Sequence, residues 1–120
     1  MAHSALKRLE RMDSCPAPGG GTIFVARTVR ERLLGLTGLA ALPRGSALLF
    51  PGCNSVHTAW MRMAIDIVFL DADGCVLEVR RGLRPWRATY CRGARAVLEC
   101  PAGGADALLS GRCCRAATRP

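Results

Sequence analysis

At 120 residues the chain is long enough to bury one ordinary core and too short for two domains. Half of its residues are hydrophobic and 5% are aromatic, which excludes a disordered polymer and leaves a core built mainly from Leu, Val, Ile and Ala. The formal charge of +8 favours attraction to polyanions at low salt, although among 17 basic residues only Lys7 is Lys, a bias that GC-rich coding also produces.

Lys7, Arg8, Glu10, Arg11 and Asp13 interrupt any apolar run near the start, so neither a secretion signal nor a membrane span is read there. Residues 1–21 close on a Pro- and Gly-rich CPAPGGG and read as a flexible arm ahead of a single globular domain over 22–120. Cysteines stand at 15, 53, 75, 91, 100, 113 and 114. An odd number without a signal points to free thiols in a reducing cytoplasm rather than a disulfide framework, and a bond between the adjacent Cys113 and Cys114 would be strained. The expectation is a cytoplasmic monomer that does not associate with membranes.

Thr22 to Ala26 is a compact β-rich run. Arg27 to Leu42 follows with Val29, Leu33, Leu36 and Leu39 at helical spacing, Thr28 as N-cap and Glu31 completing a capping box. Gly35 and Gly38 weaken that helix by about 1 kcal/mol each, which predicts a break near Gly38 before Pro43. Ser46 to Phe50 is the next strand, ended by Pro51-Gly52, and Ser55 to Met61 is extended. Ile65 to Leu70 is apolar on both faces apart from Asp66, the pattern of a central strand. Asp71-Ala72-Asp73-Gly74 then makes a tight turn into a second hairpin strand, Cys75 to Arg80. A calcium loop opening on the same letters needs Glu at its twelfth position, which here is Gly82. Ala96 to Cys100 is the last strand and Gly104 to Leu109 a short helix. Strands outnumber helices and the connections are short. The expected fold is α+β: a small β-rich domain with a curved or barrel-like mixed sheet and one or two short helices.

The order of these motifs resembles the small bacterial and archaeal proteins grouped as domain of unknown function 192. The resemblance rests on Ala26-Arg27-Thr28 with Glu31-Arg32 and Gly35-Leu36, then Leu49-Phe50, Val56-His57-Thr58 with Trp60-Met61, and Ile65 to Asp71 with Asp73-Gly74. Pro85-Trp86, Val97-Leu98-Glu99, Ala102-Gly103 and Gly111 continue it, so that it covers about Ile23 to Cys113. Thr37 and Arg112-Cys113 depart from the usual pattern. The resemblance implies a compact β-rich fold with one or two helices and implies no activity.

Three residues are candidates for catalysis. Cys53 and His57 would serve as thiolate and base if in contact, but four residues of extended strand span roughly 13 Å, so the pair meets only if Gly52 to Ser55 bends sharply. The preferred reading is a buried Cys53 and a hydrogen-bonded His57 holding neighbouring loops. Asp66, entering an apolar strand, must be paired, hydrogen-bonded or protonated. Arg62 or a backbone turn would satisfy it, which favours a structural anchor over an acid or base. With no CxxC and the thiols scattered, neither a metal site nor a cofactor is expected.

The stronger binding signal is Arg80 to Arg95, with Arg80, Arg81, Arg84, Arg87, Arg92 and Arg95, no acid, and Trp86 and Tyr90 interleaved. Arg forks suit phosphates and carboxylates, and aromatic faces stack bases. The competing reading is a solvated loop with Trp86 as a buried plug. The sequence favours a noncatalytic module that binds an anionic small molecule or an acidic protein through Arg84, Trp86, Arg87 and Arg92 and a polar rim at Asn54, His57 and Thr58. Single-stranded nucleic acid is a further candidate, without a recognisable nucleic-acid module. The alternatives are a thiol-dependent enzyme on Cys53 and His57, and a structural interaction domain.

Overall fold

The computed structural model describes residues 10–17, 20–27, 42, 45–59, 61 and 63–110. Along these run β1 (Asp13–Pro16), β2 (Thr22–Val25), β3 (Ala47–Pro51), β4 (Ser55–His57), β5 (Ile65–Leu70), β6 (Val76–Leu83), β7 (Ala88–Tyr90), β8 (Ala96–Pro101) and α1 (Gly104–Ser110). Six strands form one sheet in the order β1-β2-β3-β8-β5-β6, and β4 pairs with β7 in a separate ribbon. The expected β-rich α+β architecture is present. Among the described residues its sheet is mixed and open, ending at β1 on one side and β6 on the other, without closing into a barrel.

All six residues of β5 are buried, because β8 and β6 flank the strand and both of its faces are covered. Strand alternation then divides the core in two. On one face Ile65, Ile67 and Phe69 pack with Leu48, Phe50 and Val97, with Cys53, Val56 and Cys91 against their edge. On the other, Val68 and Leu70 join Ala47, Leu98 and Cys100 beneath Ala105 and Leu108 of α1.

The β2–β3 pair is parallel, while the other pairings are antiparallel. A parallel pair needs a crossover connection rather than a tight turn. The helix expected over 27–42, with Thr28 and Glu31, lies outside the described residues apart from its two ends, as do Arg62, Cys113 and Cys114. Gly21 allows β2 and β3 to start close together, since a Cβ there would collide with the Gly45 carbonyl. The sheet also begins earlier than the boundary drawn at Thr22. Asp13–Pro16 pairs antiparallel with β2, Cys15 opposite Ile23, although all four of its residues are exposed and carry no apolar signal.

The turn after β5 is held by its first residue. Asp71 Oδ1 accepts the Asp73 and Cys75 N–H groups, each at 2.9 Å, which commits that oxygen to the hairpin. Between Ile65↔Leu83 and Ile67↔Arg80 the register slips by one residue, a bulge made possible by Gly82 at φ 64°. Asp66 faces this bulge. Its Oδ1 accepts the Gly82 N–H at 2.8 Å, and its Oδ2 accepts Gly103 N–H at 2.9 Å and Ala105 N–H at 3.1 Å. One carboxylate, 1% exposed, therefore ties β5, the β6 bulge and the start of α1 together.

Among the described residues no two of the cysteines at 15, 53, 75, 91 and 100 are joined by a disulfide. Among the described residues no helix is long and apolar enough to cross a membrane.

Candidate functional site

The β4–β7 ribbon pairs Ser55 with Tyr90, Val56 with Thr89 and His57 with Ala88. Residues opposite one another in an antiparallel pair share a face, and alternation sends the next pair to the other side. Val56 packs against the core, so Ser55, His57, Ala88 and Tyr90, all exposed, form the outer face. Asn54 stands exposed at one end, where its carbonyl accepts the Cys91 N–H at 2.9 Å. The ribbon bounds a shallow hollow of about 620 Å³.

Thr58, directly after β4, is fully buried and clamps the loop that leads into β7. Its hydroxyl donates to the Arg84 carbonyl at 2.5 Å and accepts the Arg87 N–H at 2.8 Å. Its own N–H donates to the Arg87 carbonyl at 2.8 Å, and its carbonyl accepts the Trp86 N–H at 3.0 Å. Thr58 thus positions the rim from beneath, and the exposed polar groups are Asn54 and His57. The clamp holds Trp86 at φ 61°, a left-handed conformation that costs a bulky L-residue about 1–2 kcal/mol. Trp86 is nevertheless 59% exposed, so it is not the buried plug considered from sequence.

The fold sorts the six arginines of the segment into two kinds. Arg80 pairs with Glu78 at 2.7 Å and donates from Nε to Thr89 Oγ1 at 3.2 Å, while Arg81 pairs with Asp106 at 2.8 Å. The hydrogen bond and negative charge of Asp106 hold the Arg81 pKa above its usual value. Arg84, Arg87, Arg92 and Arg95 are exposed and have no ion pair among the described residues. Arg84 and Arg87 border a second hollow, of about 480 Å³, with Arg80, Arg81 and Gly82. Arg92 and Arg95 follow the far end of β7, so β7 runs between two groups of cations.

The residues considered for catalysis are not arranged as a reactive cluster. Cys53 is partly buried against the core, whereas His57 is on the exposed face of β4. Asp66 lies on the opposite face of the main sheet from Ile65 and Ile67 and is occupied by three backbone N–H groups. Burial pushes the Cys91 thiol up, reinforced by Glu78, and pushes Cys100 up to about 12, which keeps both thiols protonated at neutral pH. No group of three or more His, Cys, Asp or Glu able to hold a metal occurs among the described residues.

Glu99 was missed as a site of interest. It sits in register between Leu48 and Ile67, is 1% exposed, and its Oε2 has no hydrogen-bond partner among the described residues. Burial raises its pKa from 4.5 to about 8. The signal was available in the sequence: an acid inside the apolar run of β8 raises the same question as Asp66 in β5.

An open mixed sheet with a short covering helix, a strand ribbon on one face and a basic surface around that ribbon define a small β-rich domain of a type whose activity has not been assigned. The chain belongs to the DUF192 family (Uncharacterized ACR), whose model matches residues 18–110. It is 30% identical over 93 residues to a UPF0127 protein of Thermococcus sibiricus, a match that covers 73% of this chain and 60% of that relative's length. Among solved structures it is similar to a protein of unknown function from Novosphingobium aromaticivorans, with a TM-score of 0.60 and 23% identity over 79% of this chain and 75% of the other. It is also similar to a proposed transcription regulator from Sinorhizobium meliloti, with a TM-score of 0.62 and 19% identity over 78% of this chain and 81% of the other. At these identities the likeness is one of fold.

Proposed function

We propose that this chain is a noncatalytic, cytoplasmic, monomeric module that binds an anionic ligand or an acidic partner through the surface around β7. The observation that carries the reading is the exposure of Arg84, Arg87 and Arg92, with no ion pair among the described residues, beside the exposed rings of Trp86 and Tyr90. Guanidinium groups in this state are hydrated, and an incoming phosphate or carboxylate exchanges water for bidentate charged hydrogen bonds. Arg80 and Arg81 contribute less, because Glu78 and Asp106 already neutralise them. Asn54 and His57 supply the polar edge, and Thr58 keeps the Arg84–Arg87 loop in place. The thiol-dependent alternative gains no support from the placement of Cys53 and His57.

Binding of inorganic polyphosphate, followed by isothermal calorimetry or by fluorescence of the exposed Trp86, tests the reading. Affinity is expected to fall steeply as salt rises. Arg87→Glu combined with Arg92→Glu changes the local charge by four units and is expected to weaken binding at low salt by at least about tenfold. Both positions are exposed, so the fold should survive, which a thermal melt checks. Undiminished binding by the folded double variant excludes this surface.

A further inference from the structure

We propose that the ligand of this surface is single-stranded nucleic acid, with bases stacked on Tyr90 and Trp86 and phosphates held by Arg84, Arg87 and Arg92. The inference rests on the anion-binding reading above and adds the chemical class of the anion.

Three observations lead to it. Among the described residues the exposed large hydrophobic side chains are Leu77, Trp86 and Tyr90, and the two aromatic ones both belong to the basic segment. Phe50 and Phe69, by contrast, are in the core. The chain therefore places planar apolar surface in water beside cations, the combination that single-strand binding surfaces use for stacking and backbone attraction.

The second observation is conformational. Trp86 keeps a large side chain at φ 61°, where Asn or Gly would fit with less strain, and its 59% exposure shows that much of the ring is not used to fill the core. The Thr58 clamp holds this conformation and leaves the exposed part of the side chain open to a ligand.

The third is spacing. Arg87 and Arg92 lie on either side of the three residues of β7, roughly 10 Å of extended strand, with Arg92 in the turn that the Ala94 N–H closes on the Cys91 carbonyl. An extended polyanion can contact cations at both ends of that strand. Between the cations the outer face presents Tyr90, His57 and Ser55. An acidic peptide would satisfy the guanidinium groups and leave the rings without planar partners. A duplex would present phosphates and keep its bases stacked inside. A single strand supplies both phosphates and free base faces.

The experiment is fluorescence anisotropy on the full chain, with an oligothymidine strand of roughly twelve nucleotides. Oligouridine, a duplex of the same length, inorganic polyphosphate and a polyglutamate peptide serve as comparison probes. The single strands are expected to bind more tightly than the duplex, polyphosphate or peptide, and thymidine against uridine separates DNA from RNA as the source. Tyr90→Ala and Trp86→Asn are each expected to reduce single-strand affinity about tenfold while leaving the salt slope unchanged. Arg87→Ala is expected to reduce that slope by about 0.7. Trp86→Asn carries its own control, because Asn adopts this φ readily and the variant should melt no lower than the parent.

If polyphosphate binds as tightly as the strands and the ring substitutions are neutral, the nucleic-acid inference fails and anion binding stands. Preferential capture of polyglutamate also overturns the inference and identifies an acidic partner. If no probe binds, both readings fail.

Discussion

Glu99→Gln is expected to raise the stability of the protein at neutral pH and to remove most of its loss of stability in mild alkali. The wild-type carboxyl is neutral in the folded state up to about pH 8, whereas in the unfolded chain it ionises near 4.5. Between those values the folded state holds a proton that the unfolded state has released, so stability falls as pH rises, by about 1.4 kcal/mol per unit. The fall begins above the unfolded pKa and levels off above the folded one, for a total of about 5 kcal/mol. No hydrogen bond to Oε2 among the described residues offsets this. Gln keeps the shape without the charge and should gain roughly 3 kcal/mol at pH 7. Glu99→Met, packed between Leu48 and Ile67, should be stabilising at both pH values. Urea unfolding at pH 6 and pH 9 measures the effect. A wild-type curve that does not weaken between them, or a Gln variant that weakens as much as the parent, would show that Glu99 is ionised in the fold.

Asp66→Ala is expected to act in the opposite direction and somewhat more strongly. It leaves the N–H groups of Gly82, Gly103 and Ala105 without their acceptor, and while water can reach the exposed Gly82 and Gly103, Ala105 is fully buried. Each hydrogen bond to a charged acceptor is worth about 1.5–3 kcal/mol, and partial relaxation brings the combined loss to about 4 kcal/mol. That is a large fraction of the 5–15 kcal/mol typical of a domain, and corresponds to a fall in Tm of about 15 °C. Asp66→Asn should lose less, since its remaining oxygen still accepts while its amide faces donors. Amide exchange locates the damage: Gly82, Gly103 and Ala105 should lose protection before the centre of β5 does. A melting temperature within a few degrees of the parent would remove Asp66 from its anchoring role.

Much of the main sheet was legible because its information is local. The continuous apolar run of Ile65 to Leu70 requires cover on both faces, and the Asp-Ala-Asp-Gly turn returns the chain at once. The last strand and the short helix were bounded by Pro101 and Gly103–Gly104 and fell within a residue of their observed limits. β1 was not legible. Its residues are exposed, and they are recruited by backbone hydrogen bonding to β2 and by the exposed Asp13–Arg27 ion pair. The length of β6 was also underestimated, because Arg80 to Leu83 reads as a polar exit until the Gly82 bulge and Asp66 are placed together.

By itself the sequence determined an α+β, β-rich domain, the hairpin around Asp71 and the concentration of arginine and aromatic residues in one segment, since these depend on composition and on periods of a few residues. Only the tertiary structure decided which arginines are neutralised, that Trp86 and Tyr90 face water, that Thr58 works from beneath the surface, and that Glu99 Oε2 has no hydrogen-bond partner among the described residues. Several of those outcomes depend on contacts between chain positions 25 to 29 apart, Arg81 with Asp106 and Thr58 with Arg84, Trp86 and Arg87. Charge and hydropathy are properties of a residue, whereas exposure and neutralisation are properties of what the fold brings beside it.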